Sequence, residues 1–481
     1  MPRNILVRSA RVSRLDKERV IRKRIAVLAA CLLLIAVLLW RTVGSDRRKS
    51  PVQLRGTGET LVIAATGDWF TEAPMPSGKT DRGFASVVDA LRSASIGLTT
   101  LEENLLDGKN IPQADTPGTI RWPYGTKRQA EDLRRVGMTV VSLANNHATD
   151  YGIEGMKQTQ EILDDQGLRH AGSGADLAVA QAPVSLGAAP RRIAVFAITT
   201  SASPESRATR SRGEILGRPG ANSLRYSPDV TVDPETFATL QHSPIATKSA
   251  ERGQLILSGT IIKKGLKTSV ELVPNEQDMH DILDQVKLAR SKSDVVVVML
   301  HSHEPRNQSD APAEFVQSFA HGLIDAGASL VVGSGPHQLR GIEVYKSGAI
   351  LYSLGNFAFD YAAVDPRAAD VYEAGMDLYQ FAIGALGSMG SFRVPQTDEP
   401  IWWQSVIAVT TIERGALKSI RLQPIDLGVD LPAAQRGIPR IASPEHAGEI
   451  LRTLARLSQN FGTEISVQDG SGDVRLNKQS P

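Results

Sequence analysis

Short runs of aliphatic and β-branched residues alternate with longer amphipathic stretches along most of the chain. The runs predict buried strands at residues 61–66, 96–101, 139–143, 193–198, 294–300 and 329–332. The amphipathic stretches predict helices at residues 83–93, 126–136, 153–166, 278–292, 312–326 and 444–461. Continuous apolar strands that alternate with helices are typical of a layered domain in which helices cover the sheets. The sequence therefore predicts an α/β fold.

Two further segments have the pattern of antiparallel hairpins. In residues 342–354 two apolar runs flank the turn Ser347-Gly348, and in residues 405–422 they flank Arg414-Gly415. Turns that contain glycine favour tight connections between neighbouring antiparallel strands. The sheets are therefore expected to be mixed.

The N-terminus has a different pattern. Residues 25–40 form a run of 16 apolar residues, with nine basic residues before it and four more in residues 41–49. As a helix the run would extend ~24 Å, and Thr42, Val43 and the flanking arginines can complete a ~30 Å hydrocarbon core. The excess of basic residues before the run predicts a single-pass signal anchor with a cytoplasmic N-terminus and an extracytoplasmic domain.

Two alternatives to the anchor remain open. The run is only slightly longer than the apolar part of a cleaved secretory signal, although Trp40 and Arg41 stand where small residues are required. The segment Leu28-Ala29-Ala30-Cys31 also resembles a lipidation signal. All three interpretations place most of the protein outside the cytoplasmic membrane.

The sequence is accordingly divided into five parts. Two segments of the large domain are poorly patterned and rich in Pro, Gly, Ser and Arg, which predicts long loops. The parts are a basic cytoplasmic segment (1–24), a transmembrane anchor (25–43), a linker (44–58), the large domain (59–465, with loop-rich insertions at 201–277 and 361–400) and a C-terminal tail (466–481).

Charge is unevenly distributed along the 481 residues. The formal net charge is +2, but the first 50 residues carry 13 Lys or Arg against 3 Asp or Glu, so the remainder is net negative. A net negative domain gives no reason to expect a nucleic-acid partner. The single cysteine, Cys31, excludes an internal disulfide and a metal site built from thiolates.

Polar and ionisable residues follow directly after five of the predicted strands. Because the carboxyl ends of strands in an open α/β sheet meet at one edge, where ligands bind, we expect these side chains to converge. They are Asp68, Glu102, Glu103, Asn145, Asn146, His147, His301, His303, Glu304 and His337.

Carboxylate, amide and imidazole groups of this kind suit a divalent metal (Mn, Fe, Zn or Ca), and such ions serve in phosphoester hydrolysis. The candidate metal ligands are Asp68, Glu102, Asn146, His301, His303 and His337. The candidate catalytic residues are His147, as a general acid, His301 and Glu304. A simpler interpretation also stands, because a histidine after a strand is often a loop residue bonded to backbone and paired asparagines suit a turn.

Several short motifs also occur in a characteristic order. They are Gly67-Asp68, Leu101-Glu102, Ala144-Asn145-Asn146-His147 with Asp150 and Gly152, His301, residues 333–337, and Tyr352-Ser353-Leu354-Gly355-Asn356-Phe357 with Asp360. This order resembles the CapA family of capsule synthesis proteins over residues 60–465. That family is associated with poly-γ-glutamate synthesis and export. The resemblance implies a four-layer αββα sandwich similar to calcineurin-like metallophosphoesterases, and it assigns Asn145, Asn356 and Asp360 to substrate binding.

The chain departs from the family pattern at several positions. Thr100 stands where members commonly have asparagine. A segment similar to His-Trp-Gly-x-Glu reads His301-Ser302-His303-Glu304-Pro305, and one similar to His-His-Pro-His reads Ser334-Gly335-Pro336-His337. Two imidazoles are therefore absent, and we expect His303 to replace one of them. The Asp-x-His pattern of phosphoesterases is also missing at Asp68, which argues against a full two-metal centre.

The sequence thus predicts a membrane-anchored, outward-facing CapA-like protein that takes part in the synthesis, export or attachment of an anionic envelope polymer. Its partners would be that polymer, the cytoplasmic membrane and polymer synthase subunits, and its chemistry metal-dependent hydrolysis or transfer. Two alternatives remain open. One is a non-catalytic polymer-binding or scaffold subunit of a capsule synthase complex, and the other is a secreted metal-dependent phosphoesterase.

Overall fold

The computed structural model describes residues 54–56, 58–76, 81–108, 124–359, 399–432 and 435–476. Five predictions lie wholly or largely outside these residues: the basic cytoplasmic segment at 1–24, the membrane anchor at 25–43, most of the linker at 44–58, the substrate-binding role of Asp360, and nearly all of the 361–400 insertion. Among the described residues, no helix combines the length and the apolar character that crossing a bilayer requires.

Strands and helices alternate through the described residues. The strands are β1 (Thr60–Phe70), β2 (Ile96–Leu101), β3 (Asn104–Leu105), β4 (Tyr124–Gly125), β5 (Val140–Ser142), β6 (Arg169–Ala171), β7 (Ser173–Gly174), β8 (Val184–Leu186), β9 (Ile193–Thr199), β10 (Gly220–Ala221), β11 (Tyr226–Val232), β12 (Ala246–Lys248), β13 (Gln254–Leu257), β14 (Thr260–Lys264), β15 (Ser269–Pro274), β16 (Val295–His301), β17 (Leu330–Ser334), β18 (Leu339–Tyr345), β19 (Gly348–Leu354), β20 (Asn356–Phe359), β21 (Gln404–Glu413), β22 (Ala416–Asp426), β23 (Arg440–Ile441), β24 (Ile465–Gln468) and β25 (Ser471–Val474). The helices are α1 (Arg82–Ser93), α2 (Lys127–Val136), α3 (Gly152–Asp165), α4 (Leu177–Gln181), α5 (Pro234–Gln241), α6 (Glu276–Arg290), α7 (Glu314–Asp325) and α8 (Pro444–Gln459).

Two mixed sheets form the centre of the domain. The first has the strand order β24-β25-β22-β21-β1-β2-β5-β6, with β20 also paired to β1 and β23 to β22. The second has the order β18-β19-β17-β16-β9-β8. Strand β1 of the first sheet contacts β17 and β19 of the second, so the two sheets pack against each other.

Helices bury their apolar sides against these sheets. Phe84 and Leu91 of α1 and Leu133 of α2 share a core cluster with Trp69 of β1. Helices α6 and α7 share a second cluster with β9 and β16, to which Phe319 of α7 contributes. Each large apolar side chain buried in this way contributes about 1.5–3 kcal/mol. The predicted α/β fold is therefore confirmed.

Turn chemistry produces both predicted hairpins. Strands β21 and β22 pair in antiparallel fashion up to Glu413 and Ala416, and the two residues between them, Arg414 and Gly415, have φ angles of 51° and 76°. Positive φ at both turn positions matches the twist of the flanking strands. Strands β18 and β19 likewise pair up to Tyr345 and Gly348.

Two segments differ from their predictions. The sequence pattern predicts loops at residues 201–277, but the structure has α5 and a five-stranded sheet of order β12-β13-β14-β11-β15 there. These strands bury only one side, against Phe237 of α5, so they lack the continuous apolar runs of the central strands. The sequence pattern predicts a tail at residues 466–481, but β24 and β25 form a hairpin that extends the first sheet from β22.

Candidate metal centre

The two central sheets bring most of the predicted site residues together at the carboxyl ends of their parallel strands. Asp68 lies within β1, because this strand extends to Phe70 instead of ending at the predicted residue 66. Glu102 follows β2, and His301 is the last residue of β16. His337 follows β17 by three residues. Residues from both sheets therefore surround one location.

Asp68 is held by contact between backbone segments. Its amide donates a hydrogen bond to the carbonyl of Gly355 over 3.1 Å, and its Oδ2 accepts one from the amide of Gly335 over 2.9 Å. The preceding residue, Gly67, has no room for a side chain, because a Cβ there would lie 1.7 Å from the Gly355 oxygen. The Gly-Asp motif thus fixes the carboxylate between β1 and the loop before β20.

Four potential ligand atoms meet at one point. Nε2 of His301 lies 2.9 Å from Oδ1 of Asn146, 3.0 Å from Nε2 of His303 and 3.4 Å from Oε1 of Glu102. Nε2 of His303 lies 3.1 Å from the same Asn146 oxygen and 3.5 Å from the same Glu102 oxygen. Ligands placed ~2.0–2.1 Å from a tetrahedral ion are ~3.3 Å apart, so these four atoms have the spacing of a metal ligand set.

The opposite nitrogens of the two imidazoles have partners of their own. Nδ1 of His301 lies 3.0 Å from Oγ of Ser334, and Nδ1 of His303 lies 2.7 Å from Oδ1 of Asn307. Histidines that bind metals usually donate their second N–H to such an oxygen, which fixes the ring and its tautomer. Both Nε2 atoms are thereby directed toward Asn146 and Glu102.

His337 completes a second group of potential ligands with Asp68 and Glu102. Its backbone has a φ of 58°, an uncommon conformation outside glycine that concentrates at functional sites. Nδ1 lies 2.9 Å from Oδ1 of Asn356 and 3.7 Å from Oε2 of Glu102, while the ring stacks on Trp402 with centroids 5.0 Å apart. Asn356, which the resemblance assigns to substrate binding, therefore holds the ring of His337.

Buried oxygens without hydrogen bonds show that the residues fit a cation. Oδ1 of Asp68 and both Oε atoms of Glu102 are buried, and none of them accepts a hydrogen bond from the described residues. Leaving a buried charged acceptor unsatisfied costs more than the ~1–3 kcal/mol of a neutral group. A divalent cation would satisfy these oxygens, and Glu102 belongs to both groups of potential ligands.

The pKa values of the buried His301 and Glu102 agree with strong negative charge at the candidate metal site. Burial alone would lower the pKa of His301, but the charges of Glu102 and Asp68 outweigh it and raise that pKa to about 10. Burial would raise the pKa of Glu102, yet the charges of His337 and His301 hold it well below its usual value. Since a proton and a metal ion compete for an imidazole nitrogen, the charge that retains the proton also favours the cation.

His147 lies beside the cluster with its ring fixed. Nδ1 is 2.7 Å from Oδ2 of Asp150, and Nε2 is 3.9 Å from Oε1 of Glu102. Burial would lower the pKa of His147, but the neighbouring charge of Asp150 raises it above its usual value. The carboxylate of Asp150 thus orients the imidazole and favours its protonated form, as a general acid requires.

Two predicted site residues do not face the cluster. The carboxylate of Glu304 accepts hydrogen bonds from the hydroxyls of Thr200, Ser201, Ser302 and Tyr226, and it belongs to neither group of potential ligands. Asn145 is buried, where its side chain donates to the Leu101 carbonyl and accepts from the amide of His147. Both residues therefore shape the walls of the site.

Ser334, Asn307 and Trp402 were not among the predicted site residues. Ser334 occupies a position where the family pattern has histidine, and its hydroxyl lies 3.0 Å from that of Thr100, a second departure from the pattern. The serine at a position where the family pattern has histidine was the sequence feature that could have identified Ser334 as a site residue. Asn307 lies in a loop four residues after His303, and nothing in that spacing indicates a contact between them.

The fold and the site together define the class of protein: an α/β protein in which two mixed sheets present carboxylates and imidazoles with metal-ligand spacing. The sequence pattern of the family described as "Bacterial capsule synthesis protein PGA_cap" matches residues 62–361. The chain belongs to this family of bacterial capsule synthesis proteins.

The chain is also similar to several known proteins. The chain is 36% identical over 433 residues to the uncharacterized protein y4sH of Sinorhizobium fredii, which covers 86% of this chain and 93% of the relative. It is 27% identical over 340 residues to the capsule biosynthesis protein CapA of Bacillus anthracis, which covers 69% and 68%. Among solved structures, the 5'-nucleotidase precursor from Thermus thermophilus superposes with a TM-score of 0.33 at 10% identity, over 82% of this chain and 58% of that one.

Proposed function

We propose that this protein acts in the synthesis, export or attachment of a poly-γ-glutamate-like capsule polymer through hydrolysis or transfer at a divalent metal. Capsule synthesis is supported by the family and by relatives such as CapA of Bacillus anthracis. The metal-dependent chemistry rests on one observation: the Nε2 atoms of His301 and His303 lie 3.0 Å apart, and each lies 2.9 to 3.5 Å from Oδ1 of Asn146 and Oε1 of Glu102.

Different residues of the site have different roles in the proposed reaction. Glu102, Asn146, His301 and His303 would hold the ion, and Asp68 and His337 flank it through the second group. A bound divalent ion supplies an activated water and polarises the scissile group. His147, held through Nδ1 by Asp150, donates the Nε2 proton to the leaving atom as its bond breaks. The ring of Phe70 packs beside this imidazole, with the two centroids 5.8 Å apart.

Replacement of His147 by glutamine is expected to lower turnover by ~10²–10⁴-fold, which is the usual contribution of a positioned acid. Metal content should be unchanged, because His147 is in neither ligand group. The matched control is His321→Gln, since His321 also lies 2.9 Å from a carboxylate, that of Glu343, outside the site. Equal losses in the two variants would show that His147 has no specific role.

The proposed chemistry is tested with the full chain purified in detergent. Release of fragments from poly-γ-glutamate and of phenol from aryl phosphates is measured with Mn²⁺, after chelation, and after Mn²⁺ is restored. We expect turnover to be lost on chelation and regained on reloading. Polymer binding that chelation leaves unchanged, without turnover on either substrate, would instead support the scaffold alternative. Turnover of the aryl phosphate alone would support the phosphoesterase alternative.

The location of the domain and the arrangement of its layers are further parts of the proposal. The apolar run with its basic N-terminal flank supports an anchor at residues 25–43 and an extracytoplasmic domain. Protease added to intact spheroplasts should then digest the domain, whereas full protection would contradict this location. The contact of the two sheets, with helices on each, supports the four-layer αββα sandwich of calcineurin-like enzymes.

A further inference from the structure

A cavity lined by four arginines lies outside the candidate metal site formed by Glu102, Asn146, His301 and His303. Its volume is about 590 Å³, and its charged lining consists of Arg207, Arg210, Arg218, Arg225, Asp278 and Asp281. A second cavity of about 870 Å³ is adjacent, because Arg225 and Gln277 line both. Together the two adjoining cavities, at the start of α6, are called the arginine groove.

Two of the four arginines are neutralised by carboxylates of α6. Arg225 forms two hydrogen bonds of 2.7 Å with Asp278, and Arg210 pairs with Asp281. Arg207 and Arg218 form no salt bridge among the residues that the structure describes. The smaller cavity therefore has an excess of positive charge, whereas the larger one is also lined by the carboxylate of Glu276.

These two remaining arginines are held in place by backbone carbonyls. Nε of Arg207 donates to the carbonyl of Ala202 over 3.0 Å, and Nε of Arg218 donates to the carbonyl of Arg207 over 3.1 Å. Arg218 also donates to the carbonyl of Pro204. The exposed carboxylate of Glu205 also acts on both guanidinium groups without a salt bridge, so the four arginines of the smaller cavity face three nearby carboxylates. A guanidinium fixed by part of its donors keeps the others for a ligand, and little side-chain entropy is lost when a carboxylate binds.

The loop that carries Arg207 also contacts the two histidines of the candidate metal site. The amide of Thr200 donates to the carbonyl of His301 over 3.0 Å, and the hydroxyl of Ser201 accepts from the amide of His303 over 2.9 Å. Ala202, the next residue, is the one whose carbonyl holds Arg207. The consecutive residues Thr200, Ser201 and Ala202 thus connect the candidate metal site to the arginine groove.

We propose that this groove is a binding subsite for a polycarboxylate chain, in which Arg207 and Arg218 bind successive carboxylates while the adjoining metal cluster acts on the same chain. The choice of a polycarboxylate rests on the proposed function. The excess of arginine in the smaller cavity, and the two arginines without a salt bridge, rest on the structure alone. Several guanidinium contacts along one chain bind cooperatively, because each bound carboxylate holds the next one close.

Binding of fluorescein-labelled poly-γ-glutamate to the full chain in detergent tests this proposal by fluorescence anisotropy. The double variant Arg207→Gln/Arg218→Gln is expected to raise Kd by at least tenfold, about the effect of losing one charged hydrogen bond. The matched control is Arg128→Gln/Arg134→Gln, since these exposed arginines line another arginine-rich cavity of about 600 Å³. Its Kd should change by less than about twofold.

Two further variants separate this proposal from folding effects and from the metal chemistry. Arg207→Lys keeps the charge and should weaken binding less than Arg207→Gln, with Tm and metal content as in the wild type. Glu102→Gln should lose metal but still bind the polymer. Wild-type affinity in the double arginine variant would overturn the groove proposal, even if turnover proves metal-dependent. Conversely, an arginine-dependent affinity without bound metal would retain the groove and refute the metal chemistry.

Discussion

Glutamine in place of Glu102 is expected to abolish metal binding and turnover together. Glu102 is the one carboxylate shared by both groups of potential ligands, and its two buried oxygens accept no hydrogen bond from the described residues. An amide keeps the shape of the side chain but removes its charge and one of its two oxygens. Loss of an outer partner of a metal ligand costs ~10–100-fold in affinity or activity, so loss of the ligand should exceed that.

The measurement for this prediction is metal content after dialysis, together with turnover on the same preparation. The matched control is Glu103→Gln, because Glu103 is the adjacent buried carboxylate and its Oε2 accepts a hydrogen bond from the amide of Thr71, which an amide oxygen can also accept. We expect that variant to retain metal. A Glu102→Gln protein with wild-type metal content would contradict the assignment of Glu102 as a ligand.

The second large effect is expected on stability, at Arg340. This side chain is 1% exposed and donates to three backbone carbonyls, those of Glu304, Arg306 and Ser309. Burial lowers its pKa to about 10, so the group stays charged at neutral pH. Arg340→Met would leave these carbonyls unpaired in the interior. We expect the free energy of unfolding to fall by about 3–5 kcal/mol, as when one partner of a buried charged pair is removed.

Urea unfolding monitored by tryptophan fluorescence measures this change. The control is Arg456→Met, since Arg456 holds Asp310 of the same loop from the solvent side, with both side chains about 60% exposed. An exposed pair contributes at most about 1 kcal/mol. Equal losses in the two variants would contradict the role of Arg340. The same loop carries Asn307, so Arg340→Met should also weaken metal binding through His303.

Much of the metal centre follows from the sequence because its residues occupy the ends of strands. Glu102 comes directly after an apolar run, and His301 ends another, so the parallel arrangement of strands brings them together. Both hairpins were also predictable, since turn residues such as Arg414-Gly415 determine the pairing of the strands beside them. In each case the information is local, or depends on a rule that holds for all α/β sheets.

Features that depend on contacts distant in sequence could not be predicted in this way. The sheet formed by β11 to β15 escapes the pattern because its strands bury one side only and expose polar residues such as Asp229 and Lys263, which pair across it. Glu304 lies three residues after His301, which ends β16, yet its carboxylate is held by the hydroxyls of Thr200 and Tyr226 and does not face the candidate metal site. The direction of that side chain depends on a loop about one hundred residues away.

The central claim is that Glu102, Asn146, His301 and His303 hold a divalent ion. Anomalous X-ray diffraction from crystals grown with Mn²⁺, with data collected at the manganese edge, tests it directly. We expect one strong anomalous peak about 2 Å from Oε1 of Glu102 and from Nε2 of both histidines, a typical metal–ligand distance. A loaded crystal with no peak there, or with the ion bound only elsewhere, would contradict the account.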